Sequence, residues 1–167
     1  MFLFILMLFS VACACFLCIF GIASSKEKLS QKSLYQMAEA IESQTDFVPY
    51  DELPETYKKA VIAAEDKRFF QHCGFDIIAT GRALVHDIMA GSYVEGGSTI
   101  TQQLVKNQYL SQEKLIKRKI TEVFLAFEIE KAFSKEEIFA LYVNSIYFGS
   151  GYYGIAQASQ AYYGKEV

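Results

Sequence analysis

The stretch AVIAAEDKRFFQHCGFD, residues 60–76, runs an apolar helical pattern straight into two adjacent carboxylates, Glu65 and Asp66, then into two phenylalanines, a histidine and a glycine. Buried acids are costly unless paired or hydrogen-bonded, so acids closing an apolar run need a structural or a chemical reason. A carboxylate that accepts a proton from a hydroxyl works best with its pKa above the ordinary glutamate value of about 4.3, and apolar neighbours such as Ala63, Ala64, Phe69 and Phe70 supply that. General-base catalysis of this kind contributes roughly a hundred- to ten-thousandfold. Asp66 and His72 have a plainer reading, as a pair that pins the turn.

Outward from this stretch the pattern stays helical. Pro49 and Pro54, the only prolines, bracket an irregular segment, and Pro54 starts the helix through Tyr57, Ala60, Val61 and Ala64. Helical spacing recurs over 77–89, 99–110, 115–133, 135–147 and 152–163, with no convincing strand alternation. Glycines at 74, 91, 96, 97, 149 and 151 punctuate these segments, and Ser134 to Glu137 has the form of a capping box. The sequence therefore predicts an all-α domain over 48–167.

The N-terminus is different. Residues 1–23 carry no charged side chain, a run matching the ~20 apolar residues that cross a bilayer, and a signal peptide normally has a basic start and a shorter apolar core. An uncleaved transmembrane anchor is the preferred reading. Leu34, Met37, Ala38 and Ile41 then recur at helical spacing, so 24–47 reads as a juxtamembrane stalk or helix. Lys26, Lys28 and Lys32 follow the anchor, and charge alone would keep the domain in the cytoplasm. Three of the four cysteines lie in the apolar run, leaving Cys73 alone in the globular part, so one chain offers no disulfide framework or multi-cysteine zinc site there. A net charge of −3 gives no reason to expect a nucleic-acid partner.

Two further stretches carry chemistry. On the helix starting near Glu113, the row Ile116, Ile120, Val123, Phe124 and Phe127 marks the core face. Lys114, Lys117, Arg118 and Lys119 crowd its first turns while Glu128 and Glu130 lie toward its other end, an order that opposes the helix dipole. A solvated face with intrahelical ion pairs, such as Arg118 with Glu122, is one explanation. The other is an anion site for a phosphate or diphosphate, to which Lys106 adds charge. Before it, GGSTITQQ (96–103) offers paired glycines for close backbone approach and Ser98 or Thr99 as a helix cap. Thr99, Gln102, Gln103 and Lys106 form a row of polar groups suited to a sugar or phosphate.

In order, these segments resemble the glycosyltransferase family 51 domain of class A penicillin-binding proteins and monofunctional transglycosylases. EDKRFFQHCGFD (65–76) resembles the first family motif and GGSTITQQ (96–103) the second. RKITE (118–122) resembles the third, and KEEIFALYVN (135–144) the fourth, departing from it around 140–143. The resemblance implies a lysozyme-like helical fold behind one N-terminal transmembrane helix. It implies a substrate, lipid II, whose sugar is linked through a diphosphate to a polyprenol, and a growing glycan chain, polymerised at the outer face of the cell membrane, against the charge count. By resemblance, Glu65 is the general base and Glu122 the second required glutamate, holding the diphosphate directly or through a divalent cation such as magnesium or manganese; no other cofactor is implied. Lys106, Lys114, Arg118 and Lys119 would neutralise the leaving diphosphate. Asp66, Phe70, Gly97, Ser98, Thr99, Gln102, Gln103 and Asn144 complete the substrate-binding candidates, and cell-wall synthesis proteins are the expected partners. Segment 77–94 is a membrane-dipping element in the family, or else a core helix.

A glycan-cleaving, lysozyme-like enzyme is the nearest alternative activity, but it must protonate a poor alkoxide leaving group and has no use for a cationic cluster. A diphosphate leaves as an anion and calls for fixed positive charge. Family domains continue past the fourth motif, so the resemblance also implies a domain incomplete at its C-terminus. A lipid II-binding remnant without activity is therefore the alternative from another class.

Overall fold

The structure, a computed structural model, describes residues 2–92, 96–110 and 115–167, without the side chains of residues 2, 3, 115 and 116. Its elements in order are α1 (Phe2–Gln31), α2 (Leu34–Glu42), α3 (Glu55–Glu65), α4 (Ile77–Ala90), α5 (Ile100–Tyr109), α6 (Leu115–Ala132), α7 (Lys135–Val143), a hairpin β1 (Tyr147–Gly149) and β2 (Tyr152–Tyr153), and α8 (Ile155–Tyr163). Short 3-10 turns occupy Tyr50–Glu52 and Phe69–Gln71. The architecture is helical, as the periodicity predicts.

α5 lies at the centre, packed against both α6 and α7. Its Ile100, Leu104 and Val105 are fully buried with Phe69, Leu125, Ile129, Ile138, Phe139 and Val143. Burying each such side chain contributes roughly 1.5–3 kcal/mol, which makes this the main cohesive element. Capping boxes start three of the helices, at Ser33, Thr99 and Ser134, where a side-chain oxygen takes a backbone N–H left without an intrahelical partner.

α1 is long and apolar enough to cross a membrane. It does not stop at residue 23 but continues as helix through Lys26, Glu27 and Lys28. Segment 24–47 contributes to the core, since Met37, Ala38 and Ile41 of α2 are buried in it. The globular packing thus begins well before residue 48.

Local expectations are corrected on α6 and around the hairpin. On α6 the buried row is Thr121, Glu122, Leu125, Ala126 and Ile129, not Ile120, Val123, Phe124 and Phe127, which are half-buried. The cause is a second covering on that helix: α1 packs along α6, and Phe124 meets Gly21 there. The helix expected over 135–147 ends at Val143, and the one expected over 152–163 begins at Ile155. Between them Gly149, Ser150 and Gly151 all take positive φ, turning the tyrosine-rich chain into a hairpin with Tyr147 opposite Tyr153. Of the two readings open for segment 77–94, the core helix does not hold for α4. Only Ala83 is buried on it, while Ile77, Ile78, Leu84, Val85, Ile88 and Met89 are exposed, Met89 by 81%.

Candidate active site

Glu65 is the last residue of α3, and the chain leaves the helix at Asp66, whose φ of −156° sends the two carboxylates apart. Asp66 turns inward. Its Oδ2 accepts the Ile100 N–H at 3.0 Å, one of the unpaired donors at the start of α5, where a negative charge also suits the helix dipole. His72 Nε2 lies 2.9 Å from the same oxygen, and His72 Nδ1 accepts the Gly74 N–H at 3.1 Å. A ring nitrogen that accepts cannot carry the proton, so Nε2 donates to Asp66. Asp66 and His72 therefore pin the turn, and they tie the first motif to the second.

Arg68 and Asp76 complete this support. Arg68 Nε donates to Asp76 Oδ2 at 2.8 Å and its Nη2 to the other oxygen, which also accepts the Ala79 N–H at the head of α4. The guanidinium beside it, aided by that N–H, holds the Asp76 carboxyl down at about 2. Ligand atoms of Asp66, His72 and Asp76 lie within 4.8 Å of one another, as in a metal site. Every one of those carboxylates already has protein donors, so the cluster is a structural clamp.

Glu65 turns outward, exposed, onto a cleft of about 380 Å³ that Ser98 and Gln103 also line. The apolar shroud expected around it is not formed. Ala63 and Ala64 are exposed, Phe70 is half-exposed, and Phe69 points into the core, where Phe70 meets it edge-on at 5.2 Å. What holds Glu65 is polar: Gln103 Nε2 donates to Glu65 Oε2 at 2.8 Å, while Gln103 Oε1 accepts the Tyr142 hydroxyl at 3.1 Å. Burial, and then the nearby Glu65 charge, push the Tyr142 phenol above its ordinary value, so it stays a donor. A carboxylate at a helix C-terminus sits against the helix dipole, a placement with no stabilising value of its own.

Glu122 is buried on α6, and its Oε1 accepts Gln102 Nε2 at 3.1 Å and Lys119 Nζ at 2.5 Å. Lys119 also donates to Ser98 Oγ at 2.9 Å, which brings the third motif to the rim of the cleft. The ion pair expected between Arg118 and Glu122 is thus made by Lys119. Arg118 Nε is buried without a hydrogen-bond partner.

Thr99 and Gln102 are buried and committed to the fold. They form the α5 capping box, and the Thr99 hydroxyl donates to the Gly74 carbonyl at 2.7 Å. Gly97 serves close packing, since an added Cβ would lie 3.1 Å from Ala83 Cβ on α4. Asn144 is stapled to Val48 by its side-chain oxygen and nitrogen, at 2.9 and 2.8 Å, and its amide also reaches the Ala140 carbonyl. Its side chain is spent on holding that segment, not turned to the cleft. Lys106 is exposed in the last turn of α5, neither it nor Arg118 lines the cleft, and Lys114 lies outside the described residues. Cleft-lining Lys67, Arg68 and Arg82 and the bridging Tyr142 were not singled out in the sequence as site residues. A basic pair directly after Asp66 and a tyrosine in the fourth motif were the available signals. A larger cavity, about 860 Å³, between Phe47, Tyr152 and Gln160, holds no residue of the four motifs.

Residues 30–167 match the family model described as Transglycosylase. The chain is 49% identical over 120 residues to penicillin-binding protein 1F of Bacillus subtilis, covering 72% of this chain and 17% of that protein. It is 49% identical over 126 residues to penicillin-binding protein 1A of Neisseria lactamica, and 48% to that of Neisseria gonorrhoeae, covering 75% of this chain and 16% of each relative. It therefore spans about a sixth of the length of these relatives. The match covers every helix of the globular part, with the lysozyme-like helical fold that goes with it. The chain belongs to the transglycosylase family.

Proposed function

We propose that the protein is a peptidoglycan glycosyltransferase, polymerising lipid II into β-1,4-linked glycan strands with inversion and release of polyprenyl diphosphate. The observation that carries this reading is an exposed carboxylate held by an amide in the cleft, with a lysine that pairs with a buried glutamate and reaches the cleft rim through Ser98. Glu65 takes the proton from the acceptor's 4-hydroxyl as that oxygen attacks the anomeric carbon of the growing chain. The bond from that carbon to the diphosphate breaks, and the diphosphate leaves as an anion. Lys119, seated between Ser98 and Glu122, meets that charge, with Lys67 and Arg82 further along the cleft. Lys106 and Arg118, off the cleft lining, fit as outer charges that draw the anionic substrate in.

Hard divalent ions take several oxygen ligands. Around Glu122 the described residues bring one carboxylate, and an ammonium faces its Oε1. This donor set fits a protein cation better than a magnesium or manganese ion.

α1 as a single-pass anchor, with the exposed apolar side chains of α4 resting in the bilayer, keeps the cleft near a membrane-held polyprenol. The domain then faces the outer side of the cell membrane, where cell-wall synthesis proteins are its natural partners. The test is incubation with lipid II followed by gel separation of glycan strands. A ladder supports the reading, whereas binding without a ladder supports a non-catalytic remnant.

A further inference from the structure

α1 does not leave the membrane as a loose tether. At Gly21 an added Cβ would lie 2.2 Å from Phe124 Cδ2, so α1 and α6 cross where only glycine fits. One turn on, Ser24 Oγ and Thr121 Oγ1 lie 2.8 Å apart, both residues buried. Thr121 spends its proton on the Lys117 carbonyl at 3.1 Å, so Ser24 donates. Lys117 Nζ lies 5.9 Å from the centre of the Phe20 ring. Between helices that meet at a bilayer, association rests on close packing at small residues and on interhelical hydrogen bonds, and this crossing has both.

The seat of this joint is the same turn of α6 that carries the Lys119–Glu122 pair: Thr121 faces Ser24 while its neighbour Glu122 faces Gln102. We infer that Gly21, Ser24 and Thr121 are positioning residues, locking the membrane helix rigidly to α6 so that the cleft is held at one height and tilt against the bilayer. The inference rests on the proposed function and deepens it. The joint acts on where a membrane-held diphosphate meets Lys119, not on the chemistry at Glu65.

The test compares the native chain, Gly21→Leu, and Gly21→Leu combined with Phe124→Ala, which reopens the space. Each is assayed with full-length lipid II in phosphatidylglycerol vesicles and with a short-chain, water-soluble lipid II analogue. Gly21→Leu should lower kcat/KM by about 10- to 100-fold on the vesicle substrate and leave the soluble analogue unchanged, as displacement by an ångström or so does. The double variant should recover most of the loss. Equal loss on both substrates marks a merely structural role and overturns the inference, as does an unchanged rate on vesicles.

A second readout does not depend on turnover. With Cys13, Cys15 and Cys18 replaced by alanine, a fluorophore on the exposed Cys73 reports the height of the domain through quenching by brominated lipids. Quenching should change in Gly21→Leu and return in the double variant; no change overturns the joint. A native chain that makes no polymer refutes the proposed function, while the quenching comparison still decides the joint.

Discussion

The Glu65 carboxylate and the Tyr142 phenol hold opposite ends of one amide: Gln103 donates to the first at 2.8 Å and accepts from the second at 3.1 Å. The order fixes the amide. Because a carboxylate can only accept, the Gln103 nitrogen must face Glu65, which leaves the amide oxygen to accept from Tyr142, and a buried tyrosine thereby anchors the amide that holds an exposed base.

Tyr142→Phe removes the bond that anchors the far end of that amide. We expect kcat for lipid II polymerisation to fall about tenfold with KM little changed, since one orienting bond and not a substrate contact is lost. Thermal stability should fall by about 1 kcal/mol, the net worth of one hydrogen bond. Steady-state kinetics with a thermal melt check both.

Lys119→Ala leaves Glu122 buried with Gln102 as its remaining donor among the described residues. A buried charge stripped of its cation costs about 1–3 kcal/mol, so the melting temperature should drop together with lipid II affinity. Adding Glu122→Gln to Lys119→Ala should restore the melting temperature but not the affinity. A calorimetric melt and a vesicle-binding titration separate the two effects.

Asp76 gives the fold an acid limit. Its carboxyl is held at about 2 in the folded chain, below the ordinary value of about 3.9. A depressed carboxyl contributes stability that is complete above the ordinary value and is lost as pH falls from about 4 toward 2. Arg68→Ala removes the main cause of the depression, so acid unfolding should begin at higher pH. Circular dichroism across pH 2–6 reads the shift.

Gly74 has φ of +93°, and an added Cβ would come within 2.9 Å of the Ala126 carbonyl. Gly74→Ala should therefore destabilise by roughly 1–3 kcal/mol, through both strain and contact, and loosen the Thr99 bond to the Gly74 carbonyl. Urea unfolding measures the loss.

The helices were legible in the sequence because capping and apolar spacing agree along most of the chain. Ser134 and Glu137 announce α7 and the structure pairs them as written. The hairpin was not, because Tyr147 reads as the end of one helical segment and Tyr153 as the start of the next until the three positive φ values between them are known. In the site, the role of Asp66 and His72 as a pinned turn could be read from an acid and a histidine six apart. The orientation of α6 could not, since its aromatic row reads as core until α1 is seen to cover it at Gly21. The bridge from Tyr142 to Glu65 joins residues 77 positions apart through a third, a relationship that no local pattern encodes.

The most direct test of the account is the Glu65→Gln chain in lipid II polymerisation, read as glycan strands on a gel beside a lipid II binding titration. The account predicts a strand ladder from the native chain, none from Glu65→Gln, and equal binding by both. Strands from Glu65→Gln at the native rate would contradict it.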